Sequence, residues 1–187
     1  MKCMKHKPED CFVAIIDLQE NFLKSVPDAN HLVKRAKFLL ECGKILDVPA
    51  GGTEQYPERM GGTRAELDGL YPQGMHAKMT FSACGIESFN QMVNSSGRKR
   101  VILVGVETHI CIIQTAIDLI NSGYEVTLAL DAIGSRLKEG HSIGVQRLLQ
   151  AGAIAAHTES IVYEWLESAS NPKFKEVLKL VKAYAND

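Results

Sequence analysis

Two apolar runs without polar alternation, CFVAIID at 11–17 and VILVGV at 101–106, constrain the fold of this chain most. Successive side chains of a strand point to opposite faces, so a run with no polar positions is buried on both. Helices must then cover both faces, which is the arrangement of a parallel sheet. Leu32, Val33, Ala36, Leu39 and Leu40 have helical spacing and predict a helix over about 28–46, with Pro27 and Asp28 suited to its start. ILDVPAGG reads as a second, weak strand, because Gly51 and Gly52 bring no side chains to pack. TEQYPERMGGT reads as loop, GMHAKMTFSA as a short strand entering a loop, and about 85–95 as helix. The helix after VILVGV stops near 122, at Asn121–Ser122–Gly123. EVTLALD and AIAAH read as strands flanking the helix HSIGVQRLLQAG, and SIVYEWL and NPKFKEVLKLVKAY as amphipathic helices. The order predicts an α/β fold: a doubly wound, mainly parallel sheet of about six strands in three α-β-α layers. No linker or repeat divides the chain, so one domain is expected over 1–187, with residues 1–10 as a flexible arm.

Charge and cysteine usage exclude several functions. The net charge of −1 creates no field that recruits nucleic acid or an anionic membrane. The one basic cluster, SGRKR at 96–100, reads as a solvated loop. No apolar run reaches the roughly eighteen residues of a membrane-spanning helix. MKCMKHKPED lacks the apolar stretch of a secretory signal and is too short and Arg-poor for a transit peptide. The cysteines, Cys3, Cys11, Cys42, Cys84 and Cys111, are odd in number and contain no CxxC. Free thiols in a reducing compartment follow: the cytoplasm, with the mitochondrion as the alternative. None of the six histidines pair at HxH or HxxxH spacing, and GxGxxG and Walker motifs are absent. Neither a metal nor a cofactor is expected.

In doubly wound sheets, ligands bind beyond the carboxyl ends of the strands. Asp17, Gln19 and Asn21 follow the first strand, Lys78 and Thr80 the third, and Glu107, Thr108, His109 and Cys111 the VILV strand. Asp131, Ser135 and Arg136 follow EVTLAL. Cys111 stands one turn into a helix, where the dipole and free N–H groups stabilise a thiolate and an oxyanion. Each residue alone has a plainer reading: a core thiol for Cys111, a capping acid for Asp17, a surface lysine for Lys78. Together at one sheet edge they make a mechanism. The lysine lowers the thiol pKa, the carboxylate takes the proton, and the sulfur attacks a carbonyl. A Cys–His dyad with His109 is disfavoured, because residues two apart on a helix point about 200° apart. His109 is assigned to the pocket mouth or a subunit contact. Cys84, in FSACGIESF, ranks second as nucleophile for want of a nearby strand-end acid.

AIIDLQENF, KMTFSA, GVETHICIIQTA and DAIGSR together resemble the isochorismatase-like (cysteine hydrolase) superfamily. TEQYP, HSIGVQRLLQAGA with TES, and NPKFKEVLKLVK follow in order, so the resemblance spans nearly the whole chain from Cys11. TEQYP is most similar to the small isochorismatase domain-containing proteins. The resemblance implies a catalytic triad of Asp17, Lys78 and Cys111. It also implies a cis peptide at Val106–Glu107 and an oxyanion hole from the backbone N–H groups of Glu107 and Cys111. The metal-binding Asp-x-His of nicotinamidases is missing from TEQYPERMGGT, which argues against nicotinamide. Isochorismatase proper lacks the cysteine, so isochorismate is not implied either. The expectation is a thiol hydrolase acting on a small amide or related carbonyl compound through a thioester, with Gln19, Phe22, Tyr56 and His109 in the substrate pocket. A homo-oligomer with a small-molecule substrate is expected, and neither nucleic acid nor membrane as partner. One alternative is a weakly active binding or scaffolding oligomer that uses SIVYEWL and the C-terminal helix as subunit surfaces. Another is a ribonuclease, a label some relatives carry, against which the neutral charge and the lack of a basic, aromatic groove argue.

Overall fold

The CFVAII run forms β1 (Cys11–Ile16) at the centre of the sheet, where all six of its residues are buried. The computed structural model describes residues 5–184. After β1 come α1 (Glu20–Leu23), α2 (Ala29–Ile45), β2 (Ala50–Gln55), α3 (Pro57–Met60), β3 (Met75–Lys78) and α4 (Glu87–Ser95). Then follow β4 (Arg100–Val106), α5 (Ile113–Asn121), β5 (Glu125–Gly134), α6 (Lys138–Gln150), β6 (Ile154–Ala156), α7 (Thr158–Leu166) and α8 (Phe174–Tyr184). The sheet order is β3-β2-β1-β4-β5-β6, and every neighbouring pair is parallel. The winding reverses between β1 and β4, which opens a crevice at their carboxyl ends.

The two faces of β1 seed two cores. Cys11, Val13 and Ile15 pack with Leu39 and Leu40 of α2, Trp165 of α7 and Val177 of α8. Phe12, Ala14 and Ile16 pack with Phe89 of α4, Ala116 of α5 and Leu148 of α6. Leu32, Val33, Ala36, Leu39 and Leu40 are all buried, as their helical spacing requires.

Three segments differ from the sequence reading. The second strand is not weak: β2 is paired on both sides, to β1 and β3. Its glycines are what allow the pairing. A Cβ on Gly52 would lie 2.0 Å from the Ile15 carbonyl oxygen, and one on Gly51 would lie 2.5 Å from the Met92 sulfur. The β2 strand also takes Thr53–Gln55 out of the expected loop, and Pro57–Met60 forms a short helix. β5 runs past Asp131 to Gly134. Its pairing with β4 jumps from Leu103↔Leu128 to Gly105↔Ile133, so extra residues bulge out between.

The N-terminus and the basic cluster are linked. Of residues 1–10, read as a flexible arm, 1–4 lie outside the described residues. His6 is buried, its ring nitrogens 2.6 Å from Glu164 and 2.9 Å from Thr127. The SGRKR segment is not simply a solvated loop. Arg100 is buried, donates to Glu125 (3.0 Å) and holds the Lys5 carbonyl (3.0 Å), while Arg98 donates to the Pro8 carbonyl (3.3 Å). Among the described residues no helix is long and apolar enough to cross a membrane.

Gly52→Ala forces a methyl group into the β1 backbone. It is expected to destabilise the fold by about 3 kcal/mol or more, read as a lowered urea midpoint. A shift within error would mean that β2 stands off β1 more than described.

Candidate active site

The chain leaves β1 through Asp17, whose φ of 52° is left-handed and places the acid directly after the last buried strand residue. The side chain is almost fully buried. Its Oδ1 accepts from the Thr53 hydroxyl of β2 (2.9 Å) and its Oδ2 from Lys78 Nζ at the end of β3 (2.7 Å). Lys78 is equally buried, and Nζ also donates to Gln55 Oε1 (2.7 Å) and to the Thr80 and Phe81 carbonyls (both 3.2 Å). A buried ion pair is costly unless further hydrogen bonds satisfy it, and this one has them from three segments. Lys78 Nζ lies 3.8 Å from Cys111 Sγ. The structure therefore brings Asp17, Lys78 and Cys111 together at the switch point.

Cys111 does not stand in an α-helical first turn. Thr108–Ile112 is a π-turn, and α5 starts only at Ile113. The Glu107 carbonyl accepts from both the Ile110 and the Ile112 N–H groups (3.0 and 3.2 Å). Single π-turns of this kind occur often at functional sites. The Val106–Glu107 peptide that leads into it is cis. The Glu107 carboxylate accepts from the Arg136 backbone N–H (3.0 Å) and pairs with the Arg136 guanidinium.

The thiol departs from the sequence reading in its proton affinity. Burial, followed by the Asp17 charge, pushes Cys111 up to about 12. The Lys78 charge and the Glu107 backbone N–H pull it down but are outweighed. Burial also raises Asp17, against the pull of Lys78 and of the hydrogen bond from Cys111. Burial and the Asp17 charge thus oppose the pull of Lys78 on the thiol, which the sequence reading takes to prevail. Cys84, the second-ranked thiol, is half-buried, raised to about 11 by burial, and lies against the Thr115 carbonyl (3.9 Å).

Asp17 and Cys111 lie at one cavity of about 140 Å³. Phe22, Phe81, Val106 and Ile110 form its apolar walls, and Gln55, Glu107 and Arg136 complete the lining. Of the four residues assigned to the pocket, only Phe22 lines it. Gln19 is fully buried and braces β2 through the Gln55 backbone N–H (2.7 Å) and carbonyl (3.1 Å). Tyr56 is exposed beyond the end of β2. The His109 ring accepts or donates to Ser135 (3.0 Å) and lies against Gly140 of α6, where a Cβ would come within 3.0 Å of it. His109 thus anchors the π-turn from behind. Asp131 also leaves the site, accepting from Arg35 of α2 and the Thr158 N–H of α7 (both 2.9 Å). Gln55, Phe81 and Ile110 were missed in the sequence, since a glutamine, an exposed phenylalanine and a helix-turn isoleucine carry no signal of their own.

The six-stranded parallel sheet with helices around it matches the fold of solved isochorismatase-family structures. The isochorismatase domain family matches residues 11–160, and the chain belongs to it. It is 36% identical to isochorismatase domain-containing protein 2A of Mus musculus, over 94% of this chain and 84% of that one. Among solved structures it is similar to the MAR1 ribonuclease of Caenorhabditis elegans, with a TM-score of 0.89 and 30% identity over 96% of this chain and 93% of that one. The Escherichia coli YcaC gene product, described as an octameric hydrolase of unknown specificity, shares the fold with a TM-score of 0.90 at 23% identity, covering 100% and 95% of the two chains.

The protonation order gives a direct test with iodoacetamide, read by peptide mass spectrometry on folded protein with Cys84 as the internal standard. Asp17→Asn removes the charge that raises the thiol, so Cys111 labelling at pH 8 is expected to rise about tenfold or more. Lys78→Met removes the cation that pulls it down, and labelling is expected to slow. Equal rates in all three proteins would mean that neither charge governs the Cys111 proton.

Proposed function

We propose that this protein is a cysteine-dependent hydrolase that cleaves the C–N bond of small amides, with Cys111 as nucleophile, Asp17 as proton carrier and Lys78 as the cation that holds both. The observation that carries this reading is the placement of Cys111 Sγ 3.8 Å from Lys78 Nζ, at a cavity that Asp17 also lines. Asp17 and Cys111 line the same cavity, so the carboxylate is placed to take the thiol proton.

In the reaction, the sulfur bonds to the amide carbon as its proton passes to Asp17. The carbonyl oxygen becomes an oxyanion, which the Glu107 and Cys111 backbone N–H groups stabilise. The C–N bond breaks, the nitrogen takes the proton from Asp17, and the amine leaves a thioester on Cys111. Water then attacks the thioester, giving a proton to Asp17. The C–S bond breaks, the acid is released and the sulfur recovers the proton. A raised Asp17 suits this role, because a base is most effective when its pKa lies near the working pH. Phe22 acts as an apolar wall of the substrate pocket. The octameric description of the Escherichia coli structure supports a homo-oligomer here as well.

The name of the Caenorhabditis elegans relative raises ribonuclease as a second reading. The site favours the amide: its cavity offers one guanidinium, Arg136, already paired with Glu107, and apolar walls instead of a phosphate-binding track. Purified protein is expected to cleave no RNA in a manner that depends on Cys111, and RNA cleavage abolished by Cys111→Ala would overturn the amide reading.

The reactive form has Asp17 ionised and Cys111 protonated. Asp17 is raised, so the acid limb of kcat/KM is expected above the ordinary carboxylate value of about 3.9, with rate gained as pH rises through it. Cys111→Ala should abolish ammonia release, and Asp17→Asn should lower kcat by about 10²–10⁴-fold. Full turnover in either variant would remove the mechanism.

A further inference from the structure

The cavity's charge and size point to the class of amide. Each ionised lining side chain is matched within the protein: Asp17 by Lys78, and Glu107 by Arg136. Arg136 engages Glu107 with its guanidinium and also through its backbone N–H. No unmatched charge is left among the described lining residues to receive a charged acyl group, and burying one unpaired is costly. The walls beside the sulfur, Phe22, Phe81, Val106 and Ile110, are apolar. The volume of about 140 Å³ is close to the roughly 150 Å³ of an apolar cavity that admits benzene, a molecule of six non-hydrogen atoms.

We propose that the substrate is the uncharged primary amide of a short, apolar acyl group, of about six non-hydrogen atoms, and that Phe81 sets its upper size. This rests on the thiol-hydrolase reading above. Phe81 suits the role. Its carbonyl accepts from Lys78 Nζ (3.2 Å), which fixes its backbone to the reacting centre, while its side chain both lines the cavity and is 56% exposed. It stands where the acyl chain would leave the cavity. Hydrolysis of such an amide, R–CO–NH₂ + H₂O, gives the carboxylate and ammonium, and no co-reactant beyond water is needed.

The test compares isobutyramide (small, neutral), succinamate (charged) and benzamide (neutral, larger), reading ammonia release together with the acyl adduct on Cys111 in acid-quenched protein. Isobutyramide is expected to have a kcat/KM about 100-fold above succinamate and about tenfold above benzamide. Phe81→Ala is expected to raise benzamide relative to isobutyramide by about tenfold or more. Phe81 is exposed, so this variant should fold, and the wild-type ranking stands as a separate measurement. A Cys111 adduct that forms preferentially with succinamate or benzamide would overturn this inference and leave the thiol hydrolase standing. Neither adduct nor ammonia from any of the three would overturn both.

Discussion

The buried pair of Asp17 and Lys78 is the constraint on which the rest of the structure depends. Its members come from β1 and β3, which do not touch in the sheet order β3-β2-β1-β4-β5-β6. β2 must lie between them, close enough to β1 for one carboxylate to reach Thr53 and Lys78 together. Gly51 and Gly52 permit that approach where a Cβ would collide. Two charges removed from water lose several kcal/mol of hydration each, and their attraction offsets this only when the remaining donors and acceptors are satisfied. Gln55, Thr80 and Phe81 supply oxygens to Lys78, so the end of β2 and the segment after β3 are tied to the same ammonium. The ion pair thereby fixes both the crevice and the positions of two cavity residues, Gln55 and Phe81.

That pair also decides how the thiol is kept. A carboxylate beside a sulfur opposes a second negative charge, and burial opposes it further. The lysine is spent first on Asp17, 2.7 Å away, and acts on the sulfur only from 3.8 Å. Burial and the Asp17 charge together push the thiol up to about 12.

How much of this was legible in the sequence follows from what each residue interacts with. CFVAII and VILVGV declare a doubly buried sheet because burial on both faces leaves no polar position. The meeting of Asp17, Lys78 and Cys111 is legible because each stands at or just beyond the end of a strand, and strand ends meet at a switch point. Gly51 and Gly52 misled, since propensity counts the absent side chain and not the neighbouring backbone it makes room for. Gln19 and His109 stand beside the key residues in sequence, but their side chains are held by the Gln55 backbone and by Ser135. The balance on the thiol is not legible in sequence, because Lys78 lowers its proton affinity while burial and the Asp17 charge raise it, and only packing sets their sizes.

The cavity mouth depends on a different strand. β5 carries extra residues relative to β4 before pairing resumes at Ile133, and this extension delivers Gly134, Ser135 and Arg136 to the π-turn. Gly134 accepts from the Thr108 hydroxyl (3.1 Å), Ser135 meets His109 (3.0 Å), and Arg136 meets Glu107, so three successive residues grip three successive residues. α6 closes behind them, with Gly140 and Gly144 one turn apart facing His109 and Thr108. A turn of irregular backbone is thus held by side chains on both flanks, so the Cys111 sulfur can keep its position against Lys78 while the chain around it departs from the regular helix.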